Sequence, residues 1–128
     1  MQGNAIPDNL RRFLLVSRLT VPHVEAVLLM RSENDNAWNS TRLASRLYLS
    51  QSRAGEILGD LAGLKILEST LSSDAYSYRP VDEALAQVVD ILADCYARHL
   101  VEVTKLIHTA SDPTAERFAA AFRFKKDA

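Results

Sequence analysis

The chain is short of nearly every residue that would announce a chemistry. Cys95 is its single cysteine, so no disulfide can close within it, the usage expected of a reducing compartment. Its glycines, Gly3, Gly55, Gly59 and Gly63, do not form a phosphate loop. No apolar run approaches the ~18 residues of a membrane span. Residues 1–9 lack the charged start and apolar stretch of a secretory leader. An excess of one charge is missing too. Fifteen Lys and Arg against 16 Asp and Glu leave a net charge of −1, so any nucleic-acid surface has to be a local basic patch. A cytoplasmic protein with no membrane segment is expected.

Catalytic constellations are equally scarce. No nucleophile elbow brings Ser, His and Asp together. Cys95 and His99 fall four apart on one helical face, as metal ligands would, with Glu102 nearly a turn further and His23 and His108 elsewhere. No second cysteine and no ligand spacing completes that set. A buried thiol and a partly buried imidazole are the expected reading, with no metal, no cofactor and no enzyme active site. Cys95→Ser should accordingly leave fold and metal content unchanged apart from a modest packing loss, and stoichiometric zinc in the purified wild type, lost in that variant, would contradict this.

What is present is an ordinary globular mixture. Hydrophobic residues make up 48% and charged residues 24% of 128 residues, which suits one domain over 1–128. Leu10, Phe13, Leu14 and Leu19 recur at helical spacing after Pro7 and Asp8. Thr20 and Pro22 open a second helix running to about Ser32. Glu33, Asn34, Asp35 and Asn36 form a polar loop, and Trp38 is expected to pack it onto the core. Asn39 or Ser40 caps a short helix ending at Leu47, Tyr48 and Leu49 make a tight turn, and Ser50 caps a helix to about Ala62 that Gly63 stops. The period then changes. Residues 65–71 and 75–79 read as a β-hairpin around Ser72, Ser73 and Asp74, ended by Pro80. Residues 81–108 contain no Gly or Pro and predict one helical rod of roughly 40 Å. A basic amphipathic segment, 112–126, follows, with Phe118, Phe122 and Lys126 on a short helix docked to the chain or serving as a tail.

The order helix, short helix, tight turn, helix and hairpin over 20–80 rests on Trp38-Asn39-Ser40-Thr41-Arg42-Leu43-Ala44-Ser45-Arg46-Leu47-Tyr48-Leu49-Ser50-Gln51-Ser52-Arg53-Ala54. It resembles the winged helix-turn-helix superfamily. With the added N-terminal helix and the long C-terminal helix, the layout is similar to MarR-type and PadR-type bacterial regulators. The expected fold is therefore mainly α with a small β-hairpin. The resemblance implies double-stranded DNA as partner, read by the second helix of the motif. Ser50, Gln51, Ser52 and Arg53 would then face base edges, and Arg42 and Arg46 would meet phosphates. Charge runs the other way. Residues 39–79 carry five basic side chains (Arg42, Arg46, Arg53, Lys65, Arg79) against four acidic ones (Glu56, Asp60, Glu68, Asp74), a net of +1. The alternative is a winged-helix adaptor that binds another protein.

Gly55, Gly59 and Gly63 recur every four residues, a ridge that reads as close helix packing. The rod carries two apolar lines: Val81, Leu85, Val88, Leu92, Cys95, His99, Val103 and Leu106, and Val89, Tyr96, Leu100 and Ile107. That stripe is wider than one packed face needs, so one side is expected to meet a second copy. Phe13, Leu14, Val89, Tyr96, Leu100 and Ile107 are the expected homodimer interface.

Overall fold

The computed structural model describes residues 6–34, 37–70 and 75–111. They form six helices and one two-stranded antiparallel hairpin, a mainly α architecture. The segment 112–126 and the hairpin tip Ser72, Ser73 and Asp74 lie outside the described residues. No single helix among those described is long and apolar enough to cross a membrane. The chain divides into two compact units, one from 1–21 with 94–128, the other from 22–93.

The first unit brings the two ends of the described chain together. Helix α1 (Asp8–Ser17) starts behind Pro7, with Asp8 complementing the positive helix end. Leu10 and Leu14, one turn apart, are its buried face. Arg18 ends it in the left-handed conformation (φ 56°), its N–H donating to the Leu14 carbonyl at 3.1 Å. Helix α6 (Leu100–Ser111) buries Val103 and Ile107, again one turn apart, and packs on α1.

In the second unit, helix α2 (Val21–Ser32) buries His23, Val24, Ala26, Val27 and Met30. Helices α3 (Ser40–Leu47) and α4 (Gln51–Gly63) pack on one another. Asn39 caps α3, its Oδ1 accepting the Arg42 N–H at 2.9 Å, and Ser50 caps α4, its Oγ accepting the Arg53 N–H at 3.0 Å. Ala54, Ile57, Leu58 and Leu61 are the buried stripe of α4. Strands β1 (Leu67–Ser69) and β2 (Tyr76–Tyr78) pair with Leu67 opposite Tyr78 and Ser69 opposite Tyr76. Trp38, fully buried, adds an antiparallel bridge to Tyr76, exchanging two backbone bonds of 2.7 and 2.8 Å. The segment before α3 is thereby fastened to the hairpin. Backbone pairing continues past Pro80, since the Val81 N–H donates to the Lys65 carbonyl at 3.0 Å.

Three expectations change. The rod over 81–108 is two helices, α5 (Glu83–Arg98) and α6, interrupted at His99. Asp82 caps α5 by accepting the Leu85 N–H at 2.9 Å. Sixteen and twelve residues correspond to about 24 and 18 Å, so no single helix spans the full length. No Gly or Pro marks the break; β-branched Val101, Val103 and Thr104, weaker helix formers, come just after it.

Gly63 is the last residue of α4 and not the cap beyond it. The left-handed position is Lys65 (φ 69°). Its N–H donates to the Ala62 carbonyl at 3.0 Å, and the Ile66 N–H reaches the Leu61 carbonyl at 3.2 Å. These are the paired bonds of a Schellman ending, fixed by backbone geometry whatever the side chain.

The glycine ridge, finally, is not a close-packing surface along its length. A Cβ on Gly55 would meet Ser40 Cβ at an ordinary 3.8 Å, and one on Gly59 or Gly63 would meet nothing within 4 Å. Gly59 therefore weakens an exposed helix without a steric return. Gly59→Ala is expected to raise stability by about 0.5–1 kcal/mol. A urea titration checks this, and an unchanged or lower midpoint contradicts it.

Candidate nucleic-acid interface

The α3–turn–α4 segment holds all six residues expected to meet DNA. Ser50, Gln51 and Ser52 are exposed at the start of α4, and Arg53 is half-buried beside them. Ser50 is committed to its cap. Gln51 Nε2 donates to Thr41 Oγ1 at 2.6 Å, so its amide is oriented by α3. Arg53 Nη1 meets Glu56 Oε1 at 3.2 Å, one turn along the same helix. Asp60, the other carboxylate of α4, accepts from or pairs with the buried His23 Nε2 at 2.9 Å. That contact ties α4 to α2.

Arg42 and Arg46 are drawn together by a residue that the sequence placed only in a polar loop. Glu33 receives Arg46 along both edges, Nη1 to Oε1 at 3.0 Å and Nη2 to Oε2 at 2.8 Å. Arg42 Nη2 reaches the same Oε1 at 3.4 Å, and its Nη1 donates to the Ala37 carbonyl at 3.2 Å. Below both guanidinium groups lies Trp38, with Arg42 4.0 Å and Arg46 5.7 Å from its ring centroid. The Trp38 indole N–H has no acceptor among the described residues. Hydrogen bonds from Arg46, reinforced by the charges of both arginines, hold the Glu33 carboxyl below its ordinary range, with desolvation opposing them. Glu33 thus stays ionised on mild acidification, and the pair is lost only as pH falls through that lowered value.

The sequence places Tyr48 only in a tight turn. It sits between α3 and α4 in the left-handed conformation (φ 58°) with 94% of its surface exposed. Its own N–H and that of Leu49 both converge on the Ala44 carbonyl. No sequence signal marks it, because the turn is set by these backbone bonds.

Of the residues expected at a dimer interface, Leu14, Val89 and Ile107 are instead core. They are 0–1% exposed within the single chain and have no surface to offer a second one. Phe13 and Tyr96 are half-buried. Leu100 is 50% exposed, and beside it in sequence Val101 is 62% exposed. On α1, Leu15 and Val16 are also exposed. All four of these exposed aliphatics belong to the unit built from 1–21 and 94–128. Burial, and next the charge of Asp94, push the Cys95 thiol up. Among the described residues no three His, Cys, Asp or Glu side chains gather as a metal site would require. Comparison of the chain with protein-family models, with curated proteins and with solved structures finds no match in any of the three.

Proposed function

We propose that the chain is a DNA-binding transcriptional regulator acting as a homodimer, with a winged helix-turn-helix in 20–80. The observation that carries this reading is the α3–turn–α4 pair. Its second helix opens on a Ser50 cap with Gln51 and Ser52 exposed, and a hairpin follows directly. Such a helix start presents side chains and backbone N–H groups to a groove. Arg53 is the side chain suited to a bidentate guanine contact, and Gln51 to adenine. Arg53 is held by Glu56 through a part-exposed pair of the kind worth about 0–1 kcal/mol, so exchanging it for a base edge is inexpensive. Dimerisation is supported by the exposed aliphatics that α1 and α6, two helices packed on each other, both carry: Leu15 and Val16, and Leu100 and Val101.

One observation favours the adaptor as a second reading. Arg42, Arg46 and Arg53 all meet carboxylates of the chain itself, and Tyr48 offers an exposed aromatic of the sort that anchors protein interfaces. Selection from a genomic DNA pool at ~50 mM salt, where phosphate contacts are strongest, separates the two. A regulator retains a subset of fragments, and Arg53→Ala weakens their binding by about 1–3 kcal/mol and relaxes one base position. Retention of nothing supports the adaptor.

A further inference from the structure

We propose that Arg42 and Arg46, floored by Trp38, form a binding site for one phosphate group, which the Glu33 carboxylate fills while the chain is free. The inference deepens the DNA-binding reading and rests on it for the source of the phosphate.

Two guanidinium groups converge on one carboxylate here, with one of them bound edge to edge. A phosphate offers the same edge with more negative charge, and arginine forks suit both anions. One of the two cations, Arg42, does not depend on Glu33 alone for its position. Arg42 is also held by the Ala37 carbonyl and by the Trp38 ring, and Trp38 is fully buried. The Asn39 cap fixes the backbone of Arg42. A guanidinium held in this way loses little freedom when one anion replaces another, and Arg46, stacked 5.7 Å from the same ring, need only exchange its carboxylate partner.

Glu33, by contrast, is poorly placed except for its arginines. Its N–H donates to the Leu29 carbonyl at 3.1 Å, which puts it at the C-terminal end of α2. The helix dipole disfavours a carboxylate there. Side chains on both sides of the pair are a third or more exposed, so water and a competing anion have access. Glu33 thus acts as an internal stand-in for a phosphate and lowers the affinity of the free chain for polyanions.

Trp38 is the chain's single tryptophan and lies under both guanidinium groups, so its fluorescence reports on the site directly. The test titrates wild type, Glu33→Gln and Glu33→Gln/Arg46→Ala with inorganic phosphate at fixed ionic strength, and with random-sequence duplex DNA. Glu33→Gln is expected to bind phosphate about tenfold more tightly than wild type, and the double variant to lose that gain. With the duplex, the salt slope of Glu33→Gln should be steeper than that of wild type by about 0.9, the value for one phosphate contact, and the double variant should lose that increase too. A Glu33→Gln protein that answers inorganic phosphate as wild type does overturns the inference. So does a gain that survives Arg46→Ala. A gain for inorganic phosphate with no duplex bound by any variant supports the site, identifies its ligand as a free phosphate, and removes the DNA reading alone.

Discussion

Trp38→Ala is expected to lower the unfolding free energy of the 22–93 unit by about 3–5 kcal/mol, the usual cost of truncating a buried Trp. Native domains hold only about 5–15 kcal/mol, so the loss should bring the midpoint of thermal unfolding close to working temperature. Trp38 is fully buried, supports the guanidinium groups of Arg42 and Arg46, and carries the bridge that joins the start of α3 to the hairpin. Trp38→Phe should cost less. It keeps a ring in place and removes an indole N–H that lacks an acceptor among the described residues. Urea unfolding followed by circular dichroism measures both. A Trp38→Ala protein within about 1 kcal/mol of wild type, by the scale of exposed-site substitutions, would mean that the buried indole does not carry the packing of this unit.

Leu100→Glu is expected to weaken self-association by at least about a hundredfold, because an unpaired carboxylate buried between subunits costs several kcal/mol. Leu100 is half exposed on α6, so the free chain should tolerate the change and remain folded. Leu14, Val89 and Ile107 cannot serve in such a test, since replacing a core residue would unfold the chain and report nothing on assembly. Sedimentation velocity across the micromolar range gives the answer. A wild type that stays monomeric throughout, or a Leu100→Glu variant that associates like wild type, contradicts an interface at this position.

Much of the local architecture was legible in the sequence, and for local reasons. Ser50 caps α4 through a bond that spans three residues, so residue type and spacing suffice to place it, and the same signal narrows the cap of α3 to Asn39 or Ser40, of which Asn39 makes the bond. The buried stripe of α4 follows from helical periodicity in the same way. What failed depended on backbone geometry or distance. The end of α4 is fixed by carbonyl bonds around Lys65, which no side chain advertises, and Gly63 drew the cap two residues too early. Periodicity gave α5 and α6 an apolar face but could not say which apolar residues the chain itself covers. Val89 and Ile107 therefore passed for surface. At the candidate interface, the motif gives the positions of Arg42, Arg46 and Arg53, but not Glu33, the partner of Arg42 and Arg46. Its contact to Arg46 crosses a separation of 13 residues from a loop that looked merely polar.

The claim that the chain reads duplex DNA as a dimer is tested most directly by sedimentation equilibrium of the protein with a duplex recovered from the genomic selection. Two chains per duplex are expected at saturation, on half-sites about 10 base pairs apart, centre to centre, with Leu100→Glu reducing both the affinity and the stoichiometry. A duplex that sediments alone at every protein concentration, or that binds single chains without preference for a paired site, would contradict it.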